Sequence, residues 1–437
     1  MRLPPLRTLA VGGAIAATAL ALYARAGSAW FFEDDLQWLA GTLTFDPASL
    51  VDISSQVHFY RPIVALYFWI ATPLFSGSPA LFHWANNVLH AANGVLVLMV
   101  ALSVGYRCGY AMAAAMFFIT MPAYVEAVAW VSALAEPVAT FFSLISVYGL
   151  VRGRREESKT WTALSIGGFV LALMAHESAA VLLPVLVVAD WALVRTQGKD
   201  PWKAWSARAR YLAPHAAILV TYLALDAFIN SRSYLVEEGH YRVGMHAVRN
   251  LLAYVISLYV GKQNLPSFIA VAVVLVLLLV RGTPRVVFAS AWLILWILPF
   301  AFFTWGNASR YAYTPAIGLG LLLAEALGWF EARVDGRLSP STKRLVITAL
   351  ALFITVRFAS FTVKAVDSFS RRTEPYRRVA ASVQASPVSY IPGQVVTVDE
   401  ETVRNMQFRY VEALVRWALQ DPSLTVVVAP RQPQAPQ

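Results

Sequence analysis

Three consecutive carboxylates, Glu33, Asp34 and Asp35, lie inside the aromatic segment Trp30-Phe31-Phe32-Glu33-Asp34-Asp35-Leu36-Gln37-Trp38, a few residues after the first long apolar run. Like charges beside a bilayer repel one another and attract water, so packing alone does not offset the cost of such a triplet. A fixed carboxylate in that place can take a proton from a weak nucleophile. Further polar groups recur near the ends of later apolar runs. They are His58, Tyr60 and Arg61, then His83, Asn86, Asn87 and His90, then Glu126 and Glu136, then His176-Glu177, then Asn307, Arg310, Tyr311 and Tyr313. The spacing of three, one and three puts His83, Asn86, Asn87 and His90 on one face of a helix. Each such group left unpaired in apolar surroundings costs about 2–7 kcal/mol, so their accumulation implies a water-filled cavity at one face of a membrane. A guanidinium with nearby tyrosines can hold a phosphate while a carboxylate acts as base, which suits transfer of a group from a phosphate-linked donor. Each group also has a plainer reading. The triplet can be solvated loop charge, Arg310 an interfacial anchor, and Tyr311 and Tyr313 members of an aromatic belt. The His83–His90 face can be interhelical hydrogen bonding, and Glu126, Glu136 and His176 can cap helices.

The elements that must position these groups follow from composition. The chain has 437 residues, of which 58% are hydrophobic and 14% charged. That leaves too little polar surface to cover a soluble globule of this length, so the expected class is an all-α polytopic membrane protein. Eleven apolar runs are long enough to span: Thr8–Arg25, Ala80–Val104, Gly109–Met121, Glu136–Val151, Thr160–Ala175, Ala179–Val194, Tyr211–Ile229, Pro266–Val280, Val286–Phe303, Tyr311–Trp329 and Leu345–Ser360. The opening segment resembles a secretory signal, but Arg25 stands where a small-residue cleavage site belongs, and the expectation is a retained first helix. The single cysteine, Cys108, excludes an internal disulfide framework.

The formal charge of +10 would suggest nucleic acid in a soluble protein, but the basic residues cluster in short loops. With the amino terminus inside, the groups Arg2 and Arg7, Arg107, Arg152 to Lys159, Arg195 to Arg210, Arg281 and Arg285, and Arg333 to Arg344 all face the cytoplasm. The acidic triplet then faces outward. Counting Met245–Val260 as a span would reverse Arg281 and Arg285, so it reads as an interfacial helix. The long outer excursion Ala29–Pro79 contains a surface-lying helix, Pro62–Phe75, and the polar loop Asn230–Asn250 reads as mobile. Two domains are expected, a membrane domain over 1–360 and a small extracytoplasmic α/β appendage over 361–437. The appendage combines a helix Glu401–Leu419 with β-like runs Gln394–Val398 and Leu424–Val428, ending in a disordered Pro/Gln tail.

No Walker lysine motif or Gly-rich dinucleotide fingerprint is present, and outside the cytoplasm no nucleotide sugar is at hand. A lipid-linked phosphosugar is the natural donor. The acidic outer loop, then YRPIVALYFWIATPLFSGSPALFHWANNVLHAANGVLVL, MPAYVEAVAWVSALAEPVA, AHESAAVLLPVLVVADW and ASRYAYTPAIGLGLLLA, resembles in order the membrane portion of the C-fold (GT-C) glycosyltransferases, above all the tetratricopeptide-linked O-mannosyltransferases and their bacterial relatives. The likeness runs from about Phe31 to Leu323. It implies a polyprenyl- or dolichyl-phosphate sugar donor, membrane lipid as partner, an unnamed glycan, lipid or protein acceptor, and no nucleic acid. It further implies Asp34 or Asp35 as catalytic base, with Arg310, Tyr311, Tyr60, Arg61, His176 and Glu177 toward the donor. His83, Asn86, Asn87, His90, Glu126, Glu136 and Tyr313 would line the cavity. The expected location is a bacterial inner membrane with the site facing the periplasm.

The chain departs from the family in two places. Ala133-Leu134-Ala135-Glu136 stands where relatives carry a Gly-Arg-Ala-Asp type sequence, and His176-Glu177 where they often have Lys-Glu. No cofactor is indicated, and nothing in the spacing specifies the divalent metal that an acidic mouth would tolerate. The tetratricopeptide array is absent from the sequence. A transporter, a lipid-carrier polysaccharide ligase or polymerase, and a non-catalytic relative remain alternatives.

Overall fold

A computed structural model describes residues 5–51, 60–198, 200, 205–230, 233, 237–259, 261–385 and 395–429. His58, Lys199 and the Pro/Gln tail lie outside the described residues. All eleven apolar runs fall on helices. Eight helices among the described residues are long and apolar enough to cross a membrane, from Thr8–Ser28 to Pro340–Gln384. A ninth results if Cys108–Thr120 and Pro122–Ala129, bent by 41° at their junction, are one broken span. The bend has a local cause, because Pro122 supplies no backbone N–H to continue the ladder. The count of eleven is not reached: Lys159–Ala175 and Leu265–Arg281 are apolar but only 17 residues long.

Helix starts are written into the sequence. Ser158, Thr283 and Ser339 accept hydrogen bonds from the N–H groups of Trp161, Val286 and Thr342, and Pro284 and Pro340 stand in the first turns that follow. Close packing follows from small residues. A Cβ on Gly149 would lie 2.8 Å from the Ser165 nitrogen and the Trp161 oxygen, and one on Gly168 would lie 2.8 Å from the Phe142 oxygen. The helices Ala135–Glu156 and Lys159–Ala175 therefore touch backbone to backbone.

The first outer segment continues from the 3₁₀ turn Ala24–Ser28 into a short helix, Asp34–Gly41. Helices are present at Pro62–Leu74 and His246–Leu258, within a residue or two of the two non-spanning helices expected there. In the described part of the 230–250 loop, Thr304 N donates to the His240 carbonyl at 3.0 Å. Asn250 Nδ2 donates to the carbonyls of Ala301 and Phe303 at 3.0 and 2.9 Å, so the loop is tied to the end of the neighbouring helix.

The last membrane helix does not stop near residue 360. It runs unbroken from Pro340 to Gln384, 45 residues. Its lower part exposes Leu345, Leu352, Phe353 and Val356, as a lipid-facing surface does, whereas Thr362, Val366, Phe369, Thr373, Tyr376, Val379 and Val383 are buried. Those buried positions recur every three or four residues and form one seam against the outer segments. Beyond it, Val395–Asp399 and Thr425–Ala429 pair in parallel, Val396 against Val426. The helix expected over Glu401–Leu419 is two pieces, Glu400–Val403 and Phe408–Ala418, because the turn through Asn405 and Met406 interrupts the ladder.

The two ends of the bundle differ chemically. Ser132 and Arg154 stand toward opposite ends of the span Val131–Glu156, and Arg310 and Arg333 do so within Ser309–Val334. Arg154 and Arg333 thus lie at the end of the bundle away from Ser132 and Arg310, which border the acidic triplet. The expected outcome of cysteine labelling in a Cys108→Ser background is that positions 34 and 154 react from opposite sides of the membrane. Reaction of both from one side would overturn the orientation.

Candidate functional site

The acidic loop is held from beneath by the segment that joins two membrane helices. Asp35 is completely buried at the first turn of the Asp34–Gly41 helix. One of its oxygens accepts from Phe32 N at 2.8 Å, the other from Ser132 N at 2.6 Å and Ser132 Oγ at 2.5 Å. Trp130 Nε1 donates to the Phe32 carbonyl at 3.0 Å, completing the clamp. Burial pushes the Asp35 carboxyl up to about 7, against the hydrogen bonds of Ser132 and Phe32 that favour its charged form. That value would suit a base, but both oxygens are occupied by protein donors and the side chain has no open face. Glu33, at the helix N-cap, holds the left-handed φ of 46°, a conformation that costs about 1–3 kcal/mol for a residue with a Cβ.

Glu33 and Asp34 are both half-buried; Asp34 is the one held in place, its Oδ1 accepting from the Tyr410 hydroxyl at 2.8 Å. Other charged groups share this mouth. Burial and Asp34 push the Glu33 carboxyl up, while Arg372 and Arg310 pull it down. Arg372 pairs with Glu126 at 3.2 Å and lies over the Phe32 ring at 4.8 Å.

Arg310 precedes the helix Tyr313–Val334 in a 3₁₀ turn. Its guanidinium lies 5.1 Å from the Trp130 ring centroid and 4.7 Å from that of Tyr311, and it donates to the Tyr311 hydroxyl at 3.2 Å. Tyr311 in turn stacks on Phe300 at 4.1 Å, and Tyr254 accepts from Ala308 N at 3.1 Å, which fixes the turn. Among the described residues Arg310 forms no ion pair with a carboxylate. A planar cation held over aromatic faces and left without an anion is suited to a phosphate.

A second cluster adjoins it. Arg61 binds Glu177 through both ends of its fork, Nε to Oε2 at 2.9 Å and Nη2 to Oε1 at 2.5 Å, and lies 3.1 Å from His176 Nε2. Ser178 N donates to His176 Nδ1 at 3.1 Å, while His176 Nε2 stands between Arg61 Nη2 and Glu136 Oε1, 3.2 Å from the latter. Glu136 is buried, and its Oε1 makes no hydrogen bond of good geometry. Arg61 brings a guanidinium to the neighbourhood of Glu136 from the segment after the first helix. Tyr60 donates to the Leu50 carbonyl at 2.8 Å.

The histidine and asparagine face points into the bundle. Asn86 Nδ2 donates to the Trp130 carbonyl at 3.2 Å and Asn87 Nδ2 to the Leu20 carbonyl at 3.0 Å. His90 Nδ1 meets the Tyr313 hydroxyl at 2.9 Å, and Asn93 Nδ2 reaches the same hydroxyl at 3.0 Å. His83 is buried against the backbone of Trp30 and Ala129. These groups tie the first, second and tenth sequence-predicted spans to the turn beneath the acidic loop. Asn86 thereby supports Trp130 from below, while Trp130 supports Phe32 and Arg310.

Sequence reasoning missed Trp130, Ser132, Arg372, Tyr410, Tyr254 and Asn93. Asn93 continues the His90 face by three residues and had a signal. Arg372 and Tyr410 reach the site from over 300 residues away, and no local pattern marks them. A cavity of about 860 Å³ adjoins the far end of the Asp34–Gly41 helix, lined among others by Trp30, Trp69, Trp417 and Arg377. Another of about 1150 Å³ lies at the basic end, near Arg107, Arg285 and Lys343, and contains none of the candidate site residues.

No family model matches the chain. Over 154 residues it is 31% identical to the protein O-mannosyl-transferase TMTC4 of Homo sapiens, a match that covers 30% of this chain and 20% of that protein. The chain therefore spans about a fifth of the length of that curated relative. The structure of ArnT from Cupriavidus metallidurans, bound to undecaprenyl phosphate, is similar with a TM-score of 0.55 at 13% identity, covering 94% of this chain and 85% of ArnT. At that identity the likeness is one of fold. The chain is a multi-pass protein with the architecture seen in ArnT, and the resemblance to C-fold glycosyltransferases is borne out at that level.

Proposed function

We propose that this protein is a membrane glycosyltransferase that moves a sugar from a polyprenyl-phosphate donor to an acceptor hydroxyl on the extracytoplasmic face. The observation that carries the reading is the convergence, across one indole, of an accessible carboxylate and an unpaired guanidinium. Trp130 bonds the Phe32 carbonyl beside Asp34 and supports Arg310 on its ring. In the mechanism this favours, Asp34 accepts the proton of the acceptor hydroxyl as that oxygen attacks the anomeric carbon. The bond from that carbon to the phosphate oxygen breaks, and polyprenyl phosphate departs with its new charge opposite Arg310. The Arg61–Glu177–His176 cluster holds the next guanidinium along the same face, suited to the donor side. ArnT was crystallised with undecaprenyl phosphate, which supports a lipid of that class as carrier.

Purified protein in liposomes, given undecaprenyl-phosphate mannose and glucose in parallel together with a pool of short glycans, is expected to release undecaprenyl phosphate in step with acceptor glycosylation. Movement of the whole lipid or of free sugar across the bilayer, with no cleavage of the phosphosugar bond, would replace this reading by transport.

A further inference from the structure

Tyr410 belongs to the amphipathic helix Phe408–Ala418 of the C-terminal appendage, yet its hydroxyl donates to Asp34 Oδ1 at 2.8 Å across 376 residues of chain. Resting on the reading of Asp34 as base, we propose that Tyr410 is a positioning residue for the transfer, so that the appendage completes the site.

The geometry supplies three reasons. First, the contact is built. Val411, Leu414 and Val415 bury the apolar face of the Phe408–Ala418 helix, and Trp417 meets Trp30 and Phe31 edge-on at 6.2 and 5.3 Å. Second, the hydroxyl is oriented. Arg409 Nη2 donates to the Tyr410 oxygen at 2.7 Å and its guanidinium lies 4.7 Å from the ring centroid, which leaves the phenolic hydrogen to Asp34. Burial and the Asp34 charge push the phenol well above its ordinary value, so it remains a donor at neutral pH. Third, only one carboxylate oxygen is engaged. Among the described residues no protein donor reaches Asp34 Oδ2, which is left for the acceptor hydroxyl, while the bond at Oδ1 holds the rotamer.

The test compares Tyr410→Phe with Val411→Ala in the full-length protein in liposomes, with undecaprenyl-phosphate mannose as probe. Tyr410→Phe keeps the ring and its packing and removes only the donor, so it is expected to lower kcat by about tenfold with donor KM unchanged. Val411→Ala, which loosens the same helix without touching the bond, is expected to leave kcat per folded molecule in place. An unchanged kcat in Tyr410→Phe, or an equal loss in Val411→Ala, overturns the proposal, as does a Tyr410→Phe defect that persists undiminished in an Asp34→Asn background. Full transfer by Asp34→Asn alone would instead sink the assignment of the base.

Discussion

Asp34→Asn is expected to lower sugar transfer by about 10²–10⁴-fold while leaving the fold and donor binding intact, because the amide keeps the shape of the side chain and removes its basic oxygen. The measurement is release of polyprenyl phosphate under saturating donor, with thermal unfolding of the same preparation as control. Asp35→Asn should behave differently. Its oxygens are met by Phe32 N, Ser132 N and Ser132 Oγ, so an amide in that place turns a donor toward a donor. One buried group goes unsatisfied, at a cost of about 1–3 kcal/mol, and activity should fall in proportion to the folded fraction. Wild-type turnover by Asp34→Asn alongside an inactive Glu33→Gln or Glu126→Gln would move the base to another carboxylate. Indifference to all four substitutions would remove the enzyme reading altogether.

Arg310→Ala is expected to reduce kcat by about 10²–10³-fold, the loss typical of removing one preorganised donor from developing oxyanion charge. Arg310→Lys should recover only part of it. A lysine keeps the charge but neither the fork that matches a phosphate nor the flat face that lies over Trp130 and Tyr311. The same series read against donor concentration should show weaker donor binding in both variants. Unchanged donor dependence in Arg310→Ala would exclude this residue from the phosphate site.

Much of this was legible in the sequence because the strongest signals are one-dimensional. Apolar runs placed every membrane helix, since a lipid environment leaves the backbone no partner but itself. The parallel strands Val395–Asp399 and Thr425–Ala429 fall within a residue of the alternating runs that announced them. What stayed hidden depends on distance along the chain. Nothing local distinguishes Asp34 from Asp35; their difference is made by Ser132 and Tyr410, which arrive from separate elements. The His83–His90 face shows the same limit. Its spacing fixed the face but not what the face meets, and the asparagines spend their amides on carbonyls of neighbouring segments.

The 45-residue helix Pro340–Gln384 is about 68 Å long at 1.5 Å per residue, against roughly 30 Å of hydrocarbon. It acts as a strut with one foot among the basic loops and its head beneath the appendage that touches Asp34. Since Thr362 bonds the Thr120 carbonyl at 2.7 Å and Thr373 receives Trp30 N at 2.9 Å, the strut is pinned to the bundle at two heights. A helix of that length reaches well past the hydrocarbon, so the part that lies among the apolar helices and the part that meets the acidic segment belong to one continuous element.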